Sequence, residues 1–314
     1  MMRISVIVPA HNCENTIVKC IESIIKQDYK DLEILIVENN SNDKTYLLCC
    51  DLEKKYRQVK LLQNKEVGVS AARNKGIDFA TGDIITFCDS DDYMEYGILE
   101  KVSSKLQGNV GIVVVGFKIV DTFGNVREKC LIGQNENWTT EDFIVHTLED
   151  QLVMGSCWNR YYRADLIRNI RFDTSLTMLE DGYFNVCFAS NNHDVICMYL
   201  NDIGYNYVIG STNASHNPDN KFDNTKYRFF KAIDLMEANC TLTQREKKAC
   251  KVSRGRLSSR AQLITKSQRK NSEIQKLRWK NLKKTFWKYA PNYFLCPFVT
   301  FKEKVKGIIK YSIQ

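Results

Sequence analysis

Ile4-Ser5-Val6-Ile7-Val8-Pro9-Ala10-His11-Asn12 joins a short β-branched run to a polar end. Such a run, bounded by turn-forming residues, reads as a buried strand, and the segments behind it decide the kind of sheet. Ile17, Val18, Ile21, Ile24 and Ile25 follow at helical spacing, on one face of a helix that starts near Asn15. Leu32–Val37 is a second strand run, Lys44–Tyr56 a second helix and Val59–Leu62 a third strand. Val69, Ala72, Ile77 and Ala80 suit a helix that stops at Gly82, and Ile84–Cys88 is a fourth strand. Strands alternating with helices of this length imply βαβ units and a mostly parallel α/β sheet. Three strands end in polar clusters: Pro9-Ala10-His11-Asn12, Glu38-Asn39-Asn40-Ser41 and Asp89-Ser90-Asp91-Asp92. In such sheets ligands bind beyond the carboxyl ends of the strands, so the clusters should converge on one crevice. Farther on, Val110–Val120 reads as a strand with a hairpin turn at Phe123-Gly124-Asn125.

Asp89-Ser90-Asp91-Asp92 is the sharpest chemical signal. Three carboxylates within four residues repel one another unless a cation sits among them. Oxygen ligands suit a hard divalent ion, Mn²⁺ or Mg²⁺, held by one or two carboxylates and by substrate phosphates. Such an ion neutralises the pyrophosphate of a departing nucleotide. The segment also reads as a solvated acidic turn capping the next helix. A second signal is Gly68-Val69-Ser70-Ala71-Ala72-Arg73-Asn74-Lys75-Gly76. Its small-residue helix start presents backbone N–H groups, and Arg73 can reach an anion. Close packing of a helix N-terminus asks for the same small residues. In the third, Leu179-Glu180-Asp181-Gly182-Tyr183-Phe184, Asp181 can act as a general base with Glu180 beside it. Alternatively, the two acids simply begin a helix whose Phe184 and Phe188 pack inward.

In this order and at these spacings the segments resemble the inverting family 2 glycosyltransferases of GT-A fold, of the bacterial capsule and exopolysaccharide type. The resemblance covers residues 3–212 and also rests on Trp158-Asn159-Arg160-Tyr161-Tyr162. It implies a catalytic domain over 1–218, with nucleotide-sugar binding in 1–120 and the acceptor side in 121–218. It implies metal-dependent transfer of a hexosyl or N-acetylhexosaminyl group from a nucleotide-sugar to a hydroxyl of a glycan or lipid-linked acceptor, by single displacement, in surface polysaccharide synthesis. Pro9, Ala10 and Asn12 would line base and ribose, Glu38 and Asn39 would meet the base, and Arg73 and Ser90 would lie near the donor. Asp89 and Asp91 would hold ribose, phosphates and metal, with Asp91 the direct ligand. Asp181 would be the base, supported by Glu180 and Trp158. Where the family commonly has two Asp and a Gly, this chain has Glu38-Asn39-Asn40; an Asn can still accept from a uracil N–H, and a UDP-sugar is the donor expected. Arg and His often found near the later Tyr-rich segment are missing from Tyr205-Asn206-Tyr207-Val208-Ile209-Gly210-Ser211. His216 is read as a solvated loop residue outside the site.

The 314 residues are 44% hydrophobic and 26% charged, which is ordinary globular composition. No stretch is apolar enough for a signal peptide or a membrane span, so a cytoplasmic protein is expected. Twelve cysteines scattered through strand and helix patterns then read as free thiols. Residues 219–314 hold 24 Lys and Arg against 7 Asp and Glu, a net of +17, while 1–218 carry −9, so a boundary is expected at Asn217-Pro218-Asp219-Asn220. The basic helical region includes Trp279, Phe286, Trp287, Tyr289, Tyr293, Phe294, Phe298 and Phe301. It can lie on an anionic membrane at its inner face, aromatics inserted, or form a helical subdomain with a solvated basic face. No nucleic-acid-binding motif accompanies the charge, and nucleic acid is not expected as a partner. A sugar-phosphate nucleotidyltransferase needs a Gly-rich loop after the first strand, where Pro9-Ala10-His11-Asn12 has no Gly. A Walker-type ATPase is excluded by the absence of GxxxxGK[ST]. An inactive nucleotide-sugar-binding scaffold would have lost Asp89, Asp91 or Asp181. Processive polymer synthases usually carry membrane-spanning helices and a Gln-x-x-Arg-Trp segment; neither is read in this chain, so one sugar per catalytic event is expected here.

Overall fold

β1 (Ile4–Ala10) and β2 (Leu32–Glu38) are buried at every residue, which is why their sequences run apolar instead of alternating. The structure, a computed structural model, describes residues 2–150, 152–153, 155–210, 222–223, 226–260 and 273–312. α1 (Ile17–Ile25), α2 (Thr45–Lys55) and α3 (Val69–Phe79) connect β1, β2, β3 (Val59–Gln63) and β4 (Ile84–Phe87) in the order expected. β1 pairs in parallel with β2 on one side and β4 on the other, and β2 pairs in parallel with β3. The strand order β3-β2-β1-β4 therefore reverses between β1 and β4, the kind of switch point at whose carboxyl ends such sheets bind ligands. Pro9 lies beyond the last β1–β4 pair, Ile7 with Phe87, where the strand keeps only its β2 neighbour and a missing N–H is tolerated.

The remainder of the sheet is mixed. β9 (Arg160–Arg163) runs antiparallel between β4 and β6 (Val110–Asp121), and β10 (Ile196–Ile209) lies parallel to β6. β5 (Tyr93–Met94) and β8 (Glu136–Trp138) add antiparallel to β10, and β7 (Val126–Cys130) forms the expected hairpin with β6. α4 (Ile98–Ser103) and α6 (Ala164–Ile167) are short connectors. Nine of the twelve cysteines are buried.

The chain forms two compact units. The first comprises Met1–Thr140, Ser156–Thr174 and Asn191–Gly210 and contains the sheet; the second comprises Glu141–Gly155, Ser175–Ser190 and Ser211–Gln314. The turn at 217–220, where the charge balance changes, lies outside the described residues. The second unit is helical: α5 (Thr140–Glu149), α7 (Glu180–Asn191), α8 (Phe229–Asn239), α9 (Gln244–Arg260), α10 (Glu273–Leu295) and α11 (Phe301–Ser312). Phe184 and Phe188 of α7 are buried, as the helical reading of that segment expected. Leu282, Phe286, Tyr293 and Tyr311 form the core of the C-terminal helices, and Trp279 packs 4.9 Å from Tyr311. Several aromatics assigned from sequence to a lipid surface thus turn inward, whereas Leu295 and Phe301 are 76% and 82% exposed. The expectation that no Gln-x-x-Arg-Trp segment occurs is wrong: Gln275-Lys276-Leu277-Arg278-Trp279, near the start of α10, has that spacing. The expectation of single transfers therefore rests on the missing membrane span alone: among the described residues no helix is long and apolar enough to cross a bilayer.

Candidate active site

The loops after β1 and β2 meet through side chains that each loop contributes. Asn12 and Asn40 both sit at positive φ, 48° and 56°, a region Asn tolerates better than most residues. Asn12 accepts from the Asn42 N–H at 2.8 Å, and its own N–H donates to Ser41 Oγ at 3.1 Å. Glu38 is buried and its Oε1 accepts from Ser41 N at 2.6 Å, closing the turn. Asn39 spans a second gap: Nδ2 donates to the Glu66 carbonyl at 2.6 Å and Oδ1 accepts from Gly68 N at 2.9 Å. Its backbone carbonyl lies 2.7 Å from His11 Nδ1. Asn39 therefore ties the β1 and β2 loops to the start of α3, using part of its amide's hydrogen-bonding capacity to do so.

α3 delivers Arg73 to the acidic turn. Ala72 is buried, and Gly76 lies so close to β1 that an added Cβ would sit 2.3 Å from Ile7 Cγ2. The close-packing reading of this segment holds, and that packing is what brings the guanidinium inward. Arg73 is 3% exposed, its Nη2 is 2.9 Å from Asp89 Oδ1, and its guanidinium carbon is 5.4 Å from the centre of the Phe172 ring.

The three carboxylates of the turn have different surroundings. Asp89 is paired with Arg73. Asp92 is buried and accepts from Val208 N at 2.7 Å and from the Tyr205 hydroxyl at 2.9 Å. Burial, with the charges of Asp91 and Asp89, pushes its carboxyl well above the usual range. Asp91 remains exposed, yet the protein around it withdraws its carboxyl from water and Asp89 adds like-charge repulsion. Together these push Asp91 up to about 6. A cation would relieve this crowding. Among the described residues no cluster of three or more His, Cys, Asp or Glu could hold a metal. Asp89 and Asp91 are carboxylates of the kind that can share a divalent ion with phosphate and water oxygens. Burial raises the Cys13 thiol, and Ser90, close by on the acidic turn, offsets part of that rise.

Tyr205 is the residue that sequence reading passed over. Its hydroxyl accepts from Asp89 N at 3.0 Å while donating to Asp92. Trp158, 3% exposed, stacks on Tyr205 at 4.4 Å and on Tyr207 at 5.6 Å; those two residues, two apart on β10, face the same side. Trp158 thus reaches the acidic turn through Tyr205. The only sequence signal was the Tyr-x-Tyr alternation, read for missing Arg and His instead of for its rings.

Glu180 and Asp181 belong to the second unit, at the start of α7. Leu179 precedes them at φ 61°, a strained backbone for a bulky residue, and Asp181 O accepts from Asn185 Nδ2 at 2.8 Å. His216 lies outside the described residues.

The family model described as glycosyl transferase family 2 matches residues 5–171. The glycosyltransferase GlyA of Streptococcus pneumoniae is 31% identical over 215 residues, covering 66% of this chain and 30% of GlyA. A Campylobacter jejuni GalNAc(5)-diNAcBac-PP-undecaprenol beta-1,3-glucosyltransferase is 37% identical over 179 residues, or 55% of each chain. This chain therefore spans 30% and 55% of the length of those two relatives. The crystal structure of S. aureus TarS 1–349 with UDP-GlcNAc matches with a TM-score of 0.72 at 21% identity, covering 99% of this chain and 89% of that one. That likeness is one of fold, and the central sheet matches the GT-A fold. With the family model covering more than half of its length, the chain belongs to glycosyl transferase family 2.

Proposed function

We propose that the chain transfers a hexosyl or N-acetylhexosaminyl group from a nucleotide-sugar, a UDP-sugar by preference, to a hydroxyl of a glycan or lipid-linked acceptor in surface polysaccharide synthesis. The observation that carries this reading is the braced acidic turn at the β1/β4 switch point. Arg73 and Tyr205 fix Asp89, Asp92 is spent on holding the turn, and Asp91 is left open and crowded by negative charge. Pro9, Ala10, Asn12, Glu38 and Asn39 stand at the same strand ends, where the base and ribose would lie, with Ser90 beside the phosphates. The UDP-GlcNAc held by TarS supports a uridine donor. Mn²⁺ or Mg²⁺ would be held by Asp91 with Asp89, and when bound it offsets charge developing on the leaving diphosphate.

Asp181 is our choice for the general base, with Glu180 and Trp158 in support. It takes the proton of the acceptor hydroxyl as that oxygen bonds to the anomeric carbon and the carbon–diphosphate bond breaks. A single displacement of this kind inverts the anomeric centre. The exposed Leu295 and Phe301, with Lys302, Lys304 and Lys306 adjoining, suit an anionic membrane surface, on the cytoplasmic face if the acceptor is lipid-linked.

The test is UDP release from a panel of UDP-sugars with Mn²⁺ or Mg²⁺, at high enzyme and long incubation. Metal-dependent release from one donor, lost in Asp181→Ala only when acceptor is supplied, supports the assignment. Failure with UDP-, GDP- and dTDP-sugars, with no thermal shift by any nucleotide, would leave an inactive scaffold as the better reading.

A further inference from the structure

Cys50, Cys187 and Cys240 are the three cysteines that are only partly buried, and two of them meet. Cys187 Sγ on α7 lies 3.8 Å from Cys240 Sγ at the end of α8, although the two stand 53 positions apart in the chain. The two helices are already packed beside this pair. The Tyr183 hydroxyl, one turn before Cys187, accepts from Asn239 Nδ2 at 3.0 Å, and a Cβ added at Gly182 would stand 3.6 Å from Met236 Cε. Cys240 N donates to the Met236 carbonyl at 3.1 Å, which fixes the residue at the helix end. The Cys240 thiol is held down to about 7, foremost by its contact with Cys187, against burial and the charge of Glu246. Ser190, close by, adds to that lowering. Its Oγ is buried with no hydrogen-bond partner among the described residues, and a thiolate at Cys240 is an acceptor for it. Proximity alone does not single out this pair. Cys20 Sγ and Cys88 Sγ lie 3.6 Å apart, but both are wholly buried, and Cys88 and burial push Cys20 well up, which keeps it a thiol.

We propose that Cys187 and Cys240 are a modification site, a dithiol that a low-molecular-weight disulfide converts reversibly into a disulfide between α7 and the end of α8. The Cys240 thiolate attacks one sulfur of the reagent, forming a mixed disulfide and expelling one thiolate. Cys187, deprotonated, then attacks the Cys240 sulfur, closing the Cys187–Cys240 bond and expelling the second thiolate. The pair loses two electrons, the reagent gains them, and the pair's two protons end on the departing thiols. The helices are then tied where they now only touch. α7 begins at Glu180 and Asp181, so the bond ties down the helix that carries the proposed base. That the tie changes sugar transfer rests on the glycosyltransferase reading; that it forms does not.

The experiment equilibrates the full chain in glutathione buffers of graded thiol-to-disulfide ratio, quenches and alkylates it, and maps the unreduced peptides by mass spectrometry. Peptides joined through Cys187 and Cys240 should exceed any other link at least about tenfold, and dithiothreitol should remove them. In Cys187→Ser the reaction should stop at a glutathione adduct on Cys240. Should that variant fail to fold, the wild-type map still decides. The proposal is overturned if no Cys187–Cys240 link forms in the folded wild type at any ratio, or if the link appears only once urea has unfolded the chain. It is also overturned if glutathione stays on Cys240 of the wild type, or if a folded Cys187→Ser chain takes none there. UDP affinity of the reduced and oxidised chains, by calorimetry with Mn²⁺, tests the donor site separately: a link without UDP binding in either form would sink the transferase reading and leave the dithiol standing.

Discussion

Tyr205 serves two carboxylate-bearing residues with one oxygen, accepting from the Asp89 backbone and donating to the buried Asp92. Tyr205→Phe keeps the ring that stacks on Trp158 and leaves Asp92 with one partner fewer in a buried place. We expect a loss of about 1–3 kcal/mol in denaturant titrations, together with weaker Mn²⁺ binding as the turn loosens. Asp91 should respond in the opposite direction. Its carboxyl is raised to about 6, so the folded chain holds that proton more tightly than the unfolded chain does. The associated stability is present below the unfolded value and is lost as pH rises through about 6. Asp91→Asn removes that loss, so at pH 7 the ligand-free variant should have the higher denaturation midpoint, while at pH 4 the two should converge. Cation binding needs the ionised group and should therefore weaken in the wild type as pH falls below 6. Asp89 and Asp91 were legible in sequence because their mutual repulsion is local. Tyr205 was not, because its bond to Asp89 spans 116 residues and no local pattern announces it.

Among the elements, α3 depends most on single atoms. Gly76→Ala places a Cβ 2.3 Å from Ile7 Cγ2, inside the core face of β1. It should cost about 2 kcal/mol through overpacking and shift Arg73 away from Asp89. Gly68 has open space around it but sits at φ 120°, so Gly68→Ala is opposed by backbone strain instead of a clash. That strain should cost about 1–3 kcal/mol. Urea midpoints of both variants, with a crystal structure of the Gly76 variant, separate the two causes. The parallel half of the sheet could be read from sequence because each strand and its crossover helix are contiguous there. The mixed half could not, because β9 inserts between β4 and β6 from residues far along the chain. Alternation of apolar residues indicates a strand but carries no information on which edge it will join or in which direction.

At the scale of the whole molecule, positive charge gathers in residues 219–314, at a net of +17. The C-terminal helices keep Phe286, Tyr293 and Tyr311 for their own core and leave Leu295 and Phe301 outside among lysines. Composition alone could not separate inward from outward aromatics, since both occur in the same basic stretch. If the outer set meets a membrane, binding to phosphatidylglycerol vesicles should fall steeply between 50 and 300 mM salt, about as expected for screened charge. Phe301→Ser should weaken that binding while leaving UDP release unchanged. The proposed function turns on the first unit, with Asp91 proposed as the ligand for a divalent ion that the nucleotide completes. Its most direct test is Mn²⁺ affinity measured by electron paramagnetic resonance in the presence of UDP, for wild type and Asp91→Asn. At least about a tenfold loss of affinity in a folded, thermally unimpaired variant is the result expected. Equal Mn²⁺ affinity in the two proteins would contradict the account.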